Sequence, residues 1–280
     1  MRWWCSAQGV AWTWTWRPYL GVWVMIAALA VAYVRTYRQA PPAVSALDRW
    51  RPRAAAAGIA ILWVLLDWPV GALGAGYLES VHMEQYLGLA FLVPPLLVLG
   101  LPVGWEARAP AWIRPAMRFA QPLRAIVLFT VVTFVTHIPV VVDALMVTQL
   151  GSFALDVAWL VTGIWFWWPV IRPAEPHRLG PAARLGYTMA GATAHMGVGM
   201  FLALAPFPLY SVYELAPPMA GTDALEDQQR AGGLMMLGDV MVGLTAAGVL
   251  LYVWQREEAK RLSAGSTTGP AAGDEGTGRT

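Results

Sequence analysis

The chain has 280 residues, 58% hydrophobic and only 13% charged, with a net charge of +2. That balance is far from an ordinary soluble domain and points to the bilayer as solvent. It excludes an extended basic nucleic-acid surface, because the few cations are dispersed as topology signals and lipid-headgroup contacts.

Residues 1–17 come first, with Trp3, Trp4, Trp12, Trp14 and Trp16 behind one early arginine. They lack the compact apolar run and small-residue cleavage site of a signal peptide. The segment is expected to lie at the outer membrane surface, held by its indoles. Cys5, the only cysteine, is read as an incidental residue of a mobile tail.

Seven apolar stretches then follow within residues 18–256. They run Pro18–Val34, Ala54–Leu73, Val81–Val103, Ala125–Met146, Phe153–Ile171, Leu185–Pro206 and Gly232–Trp254. Each is close to the ~20 residues a helix needs to cross the hydrocarbon core. Backbone polar groups must bond internally there, so the stretches are helices. The expected fold is all-α, a polytopic seven-helix transmembrane bundle. Arg35, Arg38, Arg49, Arg51 and Arg53 follow the first stretch, and Arg108, Arg114, Arg118 and Arg124 the third. Arg172, Arg178 and Arg184 follow the fifth, and Arg256, Lys260 and Arg261 the seventh. The alternate gaps are bare except for Arg230. The positive-inside rule therefore places the N-terminus outside and the C-terminus inside. Residues 257–280 turn polar and Gly-rich, and are expected to form a disordered cytoplasmic tail.

Within the bundle, Pro94 and Pro95 are expected to kink the third helix. Gly186, Ala190 and Ala194 form a small stripe on the sixth that permits close helix approach. Ionisable residues inside spans are costly and usually pair or line a cavity. Asp67 lies near the outer end of helix two. Glu79, His82, Met83 and Glu84 open helix three, where Glu79, His82 and Tyr86 share one face. His137 lies in the outer part of helix four, with Asp143 beyond it, and Asp156 opens helix five. His195 lies near mid-membrane beside Met196, and Asp239 lies inside helix seven behind Met235 and Met236. His137 is roughly 20 Å along its helix from Arg124, and His195 roughly 16 Å from Arg184. Three histidines thus belong to the outer half, while His177 sits in a basic loop and reads as ordinary.

Imidazole and thioether are good copper ligands. His82, Met83, His137 and His195 form one candidate metal set, with Asp67 and Asp239 as carboxylates that orient the histidines. The bland alternative is that each histidine is satisfied by a hydrogen bond across the bundle and each methionine fills a gap. A haem-binding cytochrome using His137 and His195 and an ion or solute transporter using the buried acids are further alternatives. A retinal protein is excluded, since the only lysine is Lys260 in the tail. No activated nucleophile or phosphate loop is present, so an enzyme is not expected.

Read in order, the motifs resemble the CtaG family of cytochrome c oxidase assembly factors, the seven-helix type. They are His82-Met83-Glu84-Gln85 with Pro94-Pro95 and Gly100-Leu101-Pro102, then His137-Ile138-Pro139, Trp167-Trp168-Pro169 and His195. Asp227-Gln228-Gln229-Arg230-Ala231-Gly232 completes the series and is the most specific. The resemblance implies a plasma-membrane protein that works with cytochrome c oxidase subunits and handles copper. In that family the helix-three pattern usually reads His-Met-x-Gln-His, and here the last place is Tyr86. A phenol is a poor Cu(I) ligand, which shifts a metal role to His82, Met83, His137 and His195. Asp227 and Gln228 also fit a plain role, capping the seventh helix.

Overall fold

A computed structural model describes residues 2–172, 178–219 and 221–266, and among them there is no strand. The helices are α1 (Leu20–Arg38), α2 (Ala46–Leu66), α3 (Val70–Gly76) and α4 (Glu79–Leu87). A π-helical turn, Gly88–Leu92, joins α4 to α5 (Val93–Gly100). Then come α6 (Trp105–Arg108), α7 (Arg114–Met117), a 3-10 turn Arg118–Ala120, and α8 (Pro122–Thr136). The chain continues with α9 (Pro139–Met146), α10 (Gln149–Ile171), α11 (Pro181–Ala194), α12 (Met196–Leu204), α13 (Ser211–Glu214) and α14 (Ala224–Ser266).

Four stretches are long and apolar enough to cross a membrane: Leu20–Arg38, Glu79–Gly100, Gln149–Ile171 and Ala224–Arg256. Two bent pairs raise the number to six if each counts as one span. They are Ala46–Leu66 with Val70–Gly76, bent by 47°, and Arg114–Ala120 with Pro122–Thr136, bent by 85°. The composition and these helices make the chain a membrane protein.

Several expected helices are broken, each for a local reason. The second gives way to a turn at Asp67–Pro69, where proline disfavours helical backbone in the residue before it. Its start is earlier than expected, because Ser45 and Asp48 form a reciprocal capping box. The fourth breaks at His137–Ile138, with Ile138 extended (φ −70°, ψ 127°) ahead of Pro139. In the third, Pro94 and Pro95 occupy the first turn of α5, where a missing N–H costs nothing. A π turn, Gly88–Leu92, sits directly in front of them, and Glu79–Gly100 counts as one span. The sixth breaks at His195, which ends α11 and begins α12.

Three further expectations are corrected. Helix α14 runs to Ser266, so residues 257–266 are helical where a disordered tail was expected; residues 267–280 lie outside the described residues. Gly186 and Ala190 face outward, and a Cβ on Gly186 would meet nothing within 4 Å. The side chain of Ala194 lies outside the described residues. Close helix approach falls instead at Gly199 and Gly232, where α12 crosses α14. A Cβ on Gly232 would lie 2.4 Å from the Ala203 nitrogen and 2.5 Å from the Gly199 oxygen.

The third correction concerns the N-terminal segment, which is partly inside the bundle. Trp4, Cys5 and Ser6 are buried. The backbone N–H groups of Trp3 and Trp4 donate to Gln149 Oε1, Ala7 donates to the Met146 carbonyl, and Gly21 donates to the Trp3 carbonyl. Cys5 Sγ lies 3.4 Å from the Leu66 oxygen and is neither exposed nor loosely held. Trp4 Nε1 donates to Asp156 Oδ2 at 2.8 Å, which explains why an acid at the start of α10 can be buried.

At the other end of the bundle, arginines and tyrosines close α5. Arg51 donates to the Leu99 and Leu101 carbonyls, and Arg172 to those of Leu101 and Pro102. Tyr33 and Tyr37 hydroxyls donate to the Leu97 and Gly100 carbonyls. The carbonyls of Leu97, Leu99 and Gly100 are among those that the C-terminus of α5 leaves unpaired, and Leu101 and Pro102 follow it. Arg172 also pairs with Glu106. Partial burial raises the Glu106 carboxyl, but Arg172 outweighs it and holds the group below its usual range.

Candidate functional site

The buried polar residues gather around two rings, Tyr86 on α4 and Trp159 on α10. Both are fully buried, with centroids 5.1 Å apart at 80°. His82 packs on Trp159 at 5.1 Å and on Tyr213 at 5.9 Å. His137 packs on Tyr86 at 4.9 Å and on Trp159 at 6.0 Å. His195 packs on Phe129 at 4.8 Å, Phe91 at 5.6 Å and Tyr86 at 6.4 Å. Trp159 therefore touches His82 and His137, and Tyr86 touches His137 and His195, so the three histidines lie around two adjoining rings. Met83 is buried as well. His177 lies outside the described residues.

His137 is held most firmly. Its Nδ1 lies 2.7 Å from the Thr133 carbonyl oxygen. A carbonyl can only accept, so Nδ1 carries the proton and Nε2 the lone pair. That Nε2 is buried and has no protein partner. The break after α8 makes this possible, because His137 caps the helix and its ring folds back over the last turn. Its own carbonyl accepts from the Tyr210 hydroxyl at 2.9 Å.

Tyr86 is tied down as well. Its hydroxyl and Thr133 Oγ1 are 3.0 Å apart. The phenol thus bonds a neighbouring helix while its ring is shared by His137 and His195. Among the described residues no three His, Cys, Asp or Glu side chains group so as to hold a metal. The two rings gather donors without forming one conventional chelate.

His195 and Asp239 face each other at 3.9 Å, Nδ1 to Oδ1, with side chains almost wholly buried. Neither ring nitrogen of His195 and neither oxygen of Asp239 has a protein hydrogen-bond partner. Asp239 is therefore placed to act with a histidine. Asp67 is not: its Oδ2 accepts from Trp63 Nε1 at 2.9 Å, one turn back in its own helix.

Glu79 is buried at the start of α4, with Oε1 unpartnered. Asp227 does not cap its own helix. It reaches across to α4, accepting from the Ser80 N–H at 3.2 Å and the Ser80 hydroxyl at 2.5 Å. The cap is Asp223, whose Oδ2 accepts from Leu225 and Glu226. Gln228 is buried and fastens the segment between α12 and α13, accepting from the Leu209 N–H and donating to the Leu202 and Phe207 carbonyls. The Asp-Gln-Gln run is thus a clamp joining α14 to α4 and to that segment.

Thr133, Trp159, Phe129, Tyr210 and Tyr213 escaped the sequence reading. Trp159 had a signal, one turn after Asp156 on the same face of α10; Thr133 is likewise one turn before His137. The tyrosines act across the fold and carried no local signal.

A family described as cytochrome c oxidase caa3 assembly factor (Caa3_CtaG) matches residues 8–257. The uncharacterized proteins Mb0105 of Mycobacterium bovis and MT0111 of Mycobacterium tuberculosis are each 24% identical over 204 residues, covering 66% of this chain and 31% of theirs. The uncharacterized protein ML1998 of Mycobacterium leprae is 24% identical over 201 residues, covering 64% and 30%. The chain spans 31% or less of the length of these curated relatives. No solved structure matches the chain.

Proposed function

The chain belongs to the cytochrome c oxidase caa3 assembly factor family, and from that premise we propose that it holds copper as cargo on the way to the oxidase. The proposed place is the plasma membrane, crossed seven times. Helices α11 and α12, end to end at His195, supply the crossing beyond the six, and the alternating arginines put the N-terminus outside. The clients are oxidase subunits, and the role is assembly rather than catalysis.

The observation that carries the copper reading is the His137 imidazole. Its tautomer is fixed by the Thr133 carbonyl, so a lone pair is left on a buried nitrogen. Buried side-chain nitrogens normally have a partner, and this one has none in the protein. The remaining donors fit the same cargo in kind, being the imidazoles of His82 and His195 and the thioether of Met83. The rings of Trp159, Tyr86, Phe91 and Phe129 keep these donors dry.

The test is substitution with protein levels measured alongside. His137→Gln and His195→Gln should each stop oxidase maturation while the protein stays in the membrane at near-normal amount, and the purified variants should hold less copper. Loss of the protein in step with activity would make these histidines structural and remove the copper reading.

A further inference from the structure

We propose that residues 105–120 lie flat on the bilayer surface and bind the anionic headgroups of phospholipids. The segment holds α6, α7 and the 3-10 turn Arg118–Ala120. One side of it is apolar and turned inward. Trp105, Ala109 and Ala120 are buried in a small cluster with Val98 of α5 and Trp168 of α10, and Ile113 and Met117 pack against that cluster. The Trp105 and Trp168 rings lie 5.6 Å apart. The other side is open. Trp112 is 79% exposed, and Arg114 and Arg118 are exposed beside it.

Direction points to the surface. Arg114–Ala120 meets Pro122–Thr136 at 85°. Helix α8 belongs to the fourth apolar stretch, so a segment nearly perpendicular to it runs along the membrane and not into it. Side-chain bonds pin it there. Arg108 donates to the Gln39 carbonyl just beyond α1, and Glu106 pairs with Arg172 at the end of α10. The segment thus crosses the arginine-rich end of the bundle from α1 to α10. An indole beside cations, on the open side of a surface-lying segment, is the pattern of an interfacial anchor. The ring enters the headgroup layer while the guanidinium groups stay at its polar edge.

Charge selects the lipid. The segment has a single acid, Glu106, and Arg172 takes it. Arg108 is spent on the Gln39 and Val103 carbonyls. No carboxylate among the described residues pairs with Arg114 or Arg118. Arg118 lies over the Phe119 ring at 5.1 Å, and exposed Arg124 is drawn in by its bond to the Arg118 carbonyl. The open side therefore carries positive charge without compensation. Basic groups at a membrane surface attract anionic headgroups, and guanidinium matches a phosphate in shape. A zwitterionic headgroup brings its own cation and gains less. Free phosphate would meet the arginines but leave Trp112 in water.

The experiment uses the full chain in detergent, with Cys5→Ser and Ala111→Cys, and an environment-sensitive dye on the new thiol beside Trp112. Short-chain phosphatidylglycerol and phosphatidylcholine are titrated in separately. Phosphatidylglycerol should shift the dye emission to the blue and saturate, and phosphatidylcholine should need at least about tenfold more for the same shift. Arg114→Gln with Arg118→Gln should weaken the phosphatidylglycerol response by at least about tenfold. Arg114→Lys with Arg118→Lys should keep most of it, and added salt should weaken it. Equal response to the two lipids, or a glutamine double variant that responds like the parent, would overturn the proposal. So would a shift abolished by an equal concentration of inorganic phosphate, which would make the arginines a site for a free anion. Where the glutamine double variant fails to fold, the lysine double variant decides, since a monodisperse protein with no phosphatidylglycerol response would also overturn it.

Discussion

Thr133 does two things at once, and both bear on His137. Its carbonyl fixes the imidazole tautomer and its hydroxyl meets Tyr86. Tyr86→Phe removes the second bond and nothing else, so about 1 kcal/mol of stability should be lost, read as a lowered Tm in detergent, with oxidase maturation kept. Loss of maturation at unchanged stability would show that the phenol itself takes part in the chemistry. Asp227 holds both polar atoms of Ser80. Asp227→Ala leaves them facing an apolar side chain and should cost about 1–3 kcal/mol. A Tm unaffected by Asp227→Ala would deny the clamp between α14 and α4. At this scale much was legible in the sequence. Histidines and acids inside apolar runs are too costly to be incidental, and all three histidines pack on Tyr86 or Trp159. What was illegible is which partner each acid takes. Asp227 reads locally as a cap, and only the fold shows that Asp223 caps while Asp227 crosses to Ser80.

Elements were legible where their causes are local and hidden where they are not. Pro69 and Pro139 mark the breaks in the second and fourth helices through the restriction they place on the preceding residue. The break at His195 has no proline near it, and beyond it α12 lays Gly199 against Gly232 of α14. That crossing tolerates no side chain. Gly232→Ala would drive a methyl into the Ala203 and Gly199 backbone, which cannot give way as a flexible side chain would. It should cost at least the 1–3 kcal/mol of an overpacked core and lower the yield of monodisperse protein on gel filtration. Gly186→Ala, pointing into open space, should leave yield and Tm unchanged. Equal behaviour of the two variants would place the α12–α14 contact elsewhere. The N-terminal tryptophans misled for a related reason. Indoles commonly sit at the membrane interface, and nothing local reveals that Trp4 donates to Asp156, 152 residues further along.

For the whole molecule, the family carries the oxidase-assembly reading and the apolar helices make the chain a membrane protein. The proposed orientation, with the N-terminus outside, rests on the arginine pattern. Single cysteines in a Cys5→Ser background should label from outside in intact cells within the loop 206–230, and not at Ala109; outside labelling at Ala109 would invert the bundle. The central claim is met most directly by cytochrome c oxidase activity in cells lacking this chain, grown under copper limitation and carrying another terminal oxidase for viability. Activity should fall well below that of the parent strain, recover with the wild-type chain, and recover in part with added copper. Undiminished oxidase activity in the deletion strain under copper limitation would contradict the account.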